Sequence, residues 1–255
     1  MPKILLRGEF IGDFKGILFD KDGTLTYSEN YLFRLANLRI EKIINIIQNI
    51  KISIKIVDLI KLLNDSYGLN KNGVNPNGSL AIASRKDNLI CTANILIIAG
   101  INQWSKALDI AKSAFLEADK NLELSKFDIP LINGVLKTIE NLHKSGFKIA
   151  IISNDGEKGV KNFIQKNHLQ DKISAYLSGD DIPQKPDPNA VLKLCKMINL
   201  QPSECLLIGD SNLDLKMASD AKIGFSIGFL SGWSVKPELT YQNDLLVNWD
   251  DILTI

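Results

Sequence analysis

Cysteine is scarce in this chain. There are three, Cys91, Cys195 and Cys205. The number is odd, and no pair has the spacing of a zinc or redox motif. Each lies in an apolar or helical context, which reads as buried free thiols in a reducing compartment. An excess of charge of either sign is also missing. The formal net charge is +1, so nothing calls for a polyanion partner such as nucleic acid. Long apolar runs are absent as well. The longest uncharged apolar stretch, around Ala93 to Ile101, is about half the length of a membrane span, and no membrane partner is expected. The N-terminal run Ile4 to Leu6 is broken by Arg7. It is too short for a signal peptide, and a cytoplasmic protein is the expectation. There is no internal repeat.

What is present fits an ordinary globular protein. The 255 residues suffice for one α/β core plus a smaller inserted domain, because a single core stops growing at about 250–300 residues. Lys15 to Phe19 (KGILF) is an apolar run that stops at DKDGT, as a buried strand feeding a loop does. The texture then becomes helical. Leu32, Leu35, Leu38, Ile43, Ile46, Ile47 and Ile50 recur at helical spacing, and Ile54, Val57, Leu59, Ile60 and Leu63 form a second stripe. Asn70 to Gly78 (NKNGVNPNG) must be a loop. Two more helices are predicted, about Leu80 to Ala99 and Trp104 to Ala118.

After Pro130 strands and helices alternate. Strands are predicted at Phe147 to Ile152, Ala175 to Leu177 and Cys205 to Ile208, with Gly224 to Phe229 as the last. Helices are predicted at Val135 to Ser145, Gly159 to Asn167, Asn189 to Asn199 and Asp214 to Ala221. Such alternation implies an α/β fold with a parallel, Rossmann-like sheet. The expected domains are a core of residues 1–27 and 128–255, interrupted by a wholly helical insert of residues 28–127.

Three of the apolar strands end in polar groups. Phe19 leads to Asp20, Lys21 and Asp22; Ile152 leads to Ser153, Asn154 and Asp155; Ile208 leads to Gly209 and Asp210. In open parallel sheets, ligands bind beyond the carboxyl ends of the strands, so these groups converge if the strands are neighbours. One strand-terminal Asp is commonly only a helix cap; three together ask for more. Asp20 and Asp22, two apart at a strand end, can face the same side and repel unless a cation lies between them or one is protonated. Asp210 adds a third oxygen donor, and a site with few carboxylates suits magnesium. A carboxylate so placed can attack phosphorus, and a protonated Asp nearby can serve the leaving group. Gly23 allows the tight turn that such an approach needs. Ser153 and the backbone N–H of Asn154 offer donors to a phosphoryl group. Lys185, in a QKPDP loop stiffened by Pro186 and Pro188, offers charge.

These segments resemble the haloacid dehalogenase superfamily of phosphohydrolases. Its four motifs occur in order as DKDGT (Asp20 to Thr24), Ser153–Asn154, Lys185–Pro186 and GDSNLD (Gly209 to Asp214). The resemblance implies Asp20 as nucleophile and Asp22 as general acid/base, with the Asp22 backbone carbonyl on Mg2+. It implies Asp210 as a direct metal ligand and Asp214 as a support for the metal or for Lys185. Ser153 and Lys185 would hold the phosphoryl group, and Thr24 would orient the loop. The insert is similar to the helical cap of the phosphoglycolate phosphatase-like branch, though longer. The dehalogenases that name the superfamily generally lack the second aspartate, so Asp22 favours phosphate ester chemistry. The expected function is therefore a magnesium-dependent phosphatase for a small phosphorylated metabolite, either a phosphoglycolate-like acid or a sugar phosphate. A phosphosugar mutase and a non-catalytic regulatory member are the alternatives, and the oligomeric state is open.

The motifs offer nothing to the rest of a substrate. Ser84, Arg85 and Lys86 are the candidates in the insert, since a hydroxyl and two cations suit the carboxylate or hydroxyls of a small acid. A solvated helix face is the simpler alternative for the two cations.

Overall fold

In a computed structural model, which describes residues 2–48, 50–71, 73–125 and 127–255, the chain divides into two compact units. One is Met1–Tyr27 with Pro130–Ile255, and the other is Ser28–Ile129. In chain order, the first unit opens with β1 (Lys3–Leu6), β2 (Glu9–Asp13) and β3 (Gly16–Phe19). The second holds α1 (Glu29–Ile47), α2 (Ile56–Tyr67), β4 (Leu69–Asn70), β5 (Gly73–Val74), α3 (Ser79–Ile82), α4 (Arg85–Ile98) and α5 (Trp104–Leu124). The chain then resumes the first unit with α6 (Val135–Lys144), β6 (Lys148–Ile152), α7 (Glu157–Lys166), β7 (Ile173–Leu177) and α8 (Pro188–Met197). It ends with β8 (Cys205–Gly209), α9 (Asn212–Asp220), β9 (Phe225–Phe229), β10 (Asp244–Leu246) and β11 (Ile252–Thr254). Among the described residues no helix is long and apolar enough to cross a membrane.

The main sheet has the order β10-β9-β8-β3-β6-β7, and all its pairings are parallel. β3 is central, flanked by β8 and β6. Ile17, Leu18 and Phe19 are fully buried, as a strand covered by helices on both faces requires. Burying each such side chain contributes about 1.5–3 kcal/mol. The chain leaves β3 for β6 and β7 on one side and returns to β8, β9 and β10 on the other. The carboxyl end of β3 is therefore the topological switch point, where an open α/β sheet has its crevice.

The core extends past the predicted last strand, because β10 pairs with β9. A second sheet, ordered β11-β1-β2, was not expected. β1 and β2 form a hairpin that turns at Arg7 and Gly8, both with positive φ, as tight hairpin turns require. Trp249 is fully buried and packs on Phe19 at 5.7 Å and Phe229 at 5.2 Å between ring centroids.

The insert is mainly, but not wholly, helical. β4 and β5 pair antiparallel inside the segment read as a loop, of which Asn72 lies outside the described residues. The predicted helix from Leu80 is two helices, α3 and α4. They break where Ala83 and Ser84 are extended. The Ser84 hydroxyl accepts from the Asp87 N–H, and the two close a capping box that starts α4 afresh. α5 packs along α1 and α4.

Candidate active site

Parallel pairing puts the ends of β8, β3 and β6 side by side. Asp20 follows β3 directly, and its N–H donates to the Ile208 carbonyl of β8 at 2.9 Å. The loop after it folds back on itself. The N–H groups of Leu25 and Thr26 donate to the Lys21 carbonyl, and that of Gly23 donates to the Thr26 carbonyl. Gly23 has φ +84°, where a side chain would be strained, and a Cβ there would lie 2.5 Å from Asp210 Oδ2.

Asp210 directly follows β8, and Ser211 caps α9 by accepting from the Asp214 N–H. The Ser211 hydroxyl also donates to Asp214 Oδ2 at 2.5 Å, so the cap that starts the helix also fixes the Asp214 carboxylate. A Cβ on Gly209 would lie 2.6 Å from that of Asp214; the strand and the helix need this glycine to approach so closely. Lys185 sits two residues before Asp187, which caps α8 with Pro188 in its first turn. The Lys185 ammonium donates to Asp20 Oδ1 at 2.5 Å and to the Ile152 carbonyl at 3.4 Å, and it pairs with Asp214 Oδ1. Thr24 Oγ1 donates to Asp210 Oδ1 at 2.7 Å. Ser153 is buried at the end of β6, where its hydroxyl accepts from the Asp155 N–H at 3.1 Å. Asn154 is half-buried beside it.

The structure thus gathers Asp20, Lys185, Asp210 and Asp214, all at least nine-tenths buried. One oxygen from each of the three carboxylates lies within 4.8 Å of those of the others. Burial pushes the Asp20 carboxyl up to about 6, against the pull of Lys185. Burial and the neighbouring Asp20 and Asp214 push Asp210 well above the usual range. Burial disfavours the Lys185 cation, but Asp20 and Asp214 outweigh it and hold the ammonium charged. A single cation among three buried carboxylates leaves negative charge uncompensated. Asp20 Oδ2 has no hydrogen-bond partner among the described residues. Such a donor set, all oxygen and short of positive charge, fits a hard divalent cation.

Asp22 departs from the expected carboxylate cluster. Its carboxylate is paired with the buried ammonium of its neighbour Lys21, at 2.7 Å, and Lys21 also reaches Asp155 at 3.1 Å. The compact carboxylate triad among the described residues is Asp20, Asp210 and Asp214, and the Asp22 carboxylate is not part of it. Sequence reasoning missed Lys21 because one letter in DKDGT says nothing of which carboxylates a long side chain will find. It also missed Trp233, whose indole N–H donates to Asp210 Oδ2 at 2.6 Å.

Two of the three residues of the insert have other occupations. Ser84 is buried in its capping box. Arg85 donates through two nitrogens to Asp119 on α5, at 2.7 and 3.1 Å. It shares Asp119 and the ring of Phe115 with the buried Arg39 of α1. Lys86 is exposed. The cap hydroxyl and the guanidinium that sequence offered to a substrate are engaged inside the helical unit itself.

Comparison with known proteins agrees with this architecture. Residues 14–222 match the family of haloacid dehalogenase-like hydrolases. The chain belongs to that family. Among curated relatives, this hydrolase is 30% identical over 136 residues to a phosphoglycolate phosphatase of Psychrobacter arcticus, a match covering 51% of this chain and 58% of the relative. It is 34% identical over 102 residues to one of Vibrio vulnificus, covering 38% and 45%. The matches span about half the length of those relatives. A solved structure described as a predicted phosphoglycolate phosphatase of Haemophilus somnus shares the fold. Its TM-score is 0.56 at 21% identity, over 92% of this chain and 88% of that one.

Proposed function

We propose that this hydrolase is a Mg2+-dependent phosphatase that forms an aspartyl phosphate on Asp20. Its substrate would be a small phosphorylated metabolite, either a phosphoglycolate-like acid or a sugar phosphate. The observation that carries the reading is the Asp20 carboxylate itself. It is buried at the switch point, has one oxygen on Lys185 and the other without a partner among the described residues, and lies beside Asp210 and Asp214. The partial matches to phosphoglycolate phosphatases support the phosphate-ester class.

Asp20, Asp210 and the backbone carbonyl of Asp22 would hold Mg2+, with Asp214 beside them, and an ion bound there would offset the negative charge of carboxylate and phosphoryl group. Asp20 attacks phosphorus, forming an O–P bond as the bond from phosphorus to the leaving alkoxide breaks. Asp22, one-fifth exposed, would take up a proton from solvent as substrate binds and give it to the alkoxide. It then takes a proton from a water that attacks the same phosphorus, and the Asp20–phosphorus bond breaks to release orthophosphate. The Lys185 ammonium, the Ser153 hydroxyl and the Asn154 N–H neutralise the phosphoryl oxygens through both steps.

Phosphate release from a panel of phosphorylated acids and sugars tests this. Turnover should vanish in excess chelator and return with Mg2+. Ca2+ should restore it poorly, because it takes more and longer oxygen contacts. Undiminished activity in excess chelator would exclude this site.

A further inference from the structure

Both oxygens of Asp210 accept hydrogen bonds, one from Thr24 and one from Trp233. Trp233 lies in the segment after β9 and is 7% exposed. It reaches the acidic cluster through a gap left by two glycines. A Cβ on Gly23 would lie 2.3 Å from the indole nitrogen, and one on Gly232 would lie 1.7 Å from the Gly23 carbonyl oxygen. The segment after β9 is therefore seated directly on the loop that carries Asp20 and Asp22. No L side chain fits at either contact without displacing one segment from the other. An indole N–H can only donate, and when buried it needs an acceptor. Here the acceptor is a carboxylate of the triad.

We infer that Trp233 is a positioning residue for the divalent-cation site, its N–H holding the Asp210 carboxylate in the orientation that presents it to Mg2+. The inference rests on the metal-dependent reading above. Two donors on opposite oxygens, Thr24 and Trp233, block rotation of the carboxylate about its Cβ–Cγ bond. Each carboxylate oxygen can accept twice, so one lone pair on each stays available for a cation. Outer partners of this kind commonly change metal affinity by about 10–100-fold when removed. Simple packing of the indole would fill the same space but would make no demand on the N–H.

The test needs Mg2+ alone, without substrate. Trp233→Phe keeps an aromatic ring and deletes the donor. Calorimetric titration should show the Kd for Mg2+ raised by about tenfold or more, in protein whose circular dichroism matches wild type. A Kd within twofold of wild type would overturn the inference while leaving the metal site standing. A second measurement does not depend on the variant folding. In wild-type protein, tryptophan emission should change as Mg2+ binds, since the cation arrives beside the carboxylate that Trp233 holds. Binding seen by calorimetry with unchanged emission would also overturn the inference. If wild-type protein binds no Mg2+ at all, both the inference and the metal-dependent reading fall.

Discussion

Asp20→Asn is expected to lower kcat by about a thousandfold or more, because an amide cannot attack phosphorus and the loss of a nucleophile removes the covalent route. Its effect on stability should have the opposite sign from a damaged core. The folded-state pKa of Asp20 is pushed up to about 6 by burial, above an ordinary value of about 4. A raised acid favours the folded state when protonated, so this group's contribution falls as pH rises from about 4 to about 6. At neutral pH the ionised carboxylate burdens the folded state, and Asn removes that charge without changing shape. In chelator at neutral pH, Asp20→Asn should melt no lower than wild type. Thermal melts and phosphate-release kinetics on the same preparation check both halves. A variant that keeps near-wild-type turnover would sink the covalent mechanism, and one that melts much lower would show that the fold, not the chemistry, had been tested.

Lys185→Met should do the reverse to stability. The ammonium is buried between Asp20 and Asp214. Removing it leaves two buried carboxylates without their cation, a loss of about 3–5 kcal/mol. That corresponds to a fall in Tm of about 10 °C for a domain of this size. The raised pKa of Lys185 means that its stabilising contribution is complete below the ordinary lysine range and is lost only as pH rises through the still higher folded value. The fall should therefore be constant across neutral pH. Mg2+ should restore part of it, since a ligand that binds only the folded form stabilises it. Turnover should stay low even in saturating Mg2+, because the phosphoryl oxygens lose a cation. A Tm within a degree or two of wild type in chelator would mean that the lysine does not compensate the cluster.

The sequence made the site legible where strand chemistry is abrupt. Apolar runs ending in Asp20, Ser153 and Asp210 could be read as buried strands with polar ends, and the parallel sheet brings those ends together. The second sheet was not legible. β2 (EFIGD) has no clear alternation and is exposed or half-buried throughout, so its hydrophobic pattern carries no strand signal. β10 was hidden by its three-residue length. The break between α3 and α4 did leave a signal, since Ser84 and Asp87 stand three apart as in a capping box, and the apolar pattern lapses from Ser84 to Asn88. Lys21 and Trp233 illustrate a deeper limit. Lys21 finds Asp155 from 134 positions away, and Trp233 finds Asp210 from 23. Neither pairing has a period or a spacing; each exists only once the strand ends are assembled.

The most direct test of the account is to look for the phosphorylated carboxylate on Asp20. Enzyme quenched during turnover with Mg2+ and a phosphate ester, then treated with borohydride, should carry homoserine at position 20 when its peptides are read by mass spectrometry. Reduction converts an acyl phosphate to an alcohol and leaves ordinary carboxylates alone. The product should be absent without substrate, in chelator, and in Asp20→Asn. Active enzyme that yields no reduced residue at position 20 under conditions where the phosphoenzyme accumulates, or that yields it at another aspartate, would contradict the assignment of Asp20 as nucleophile.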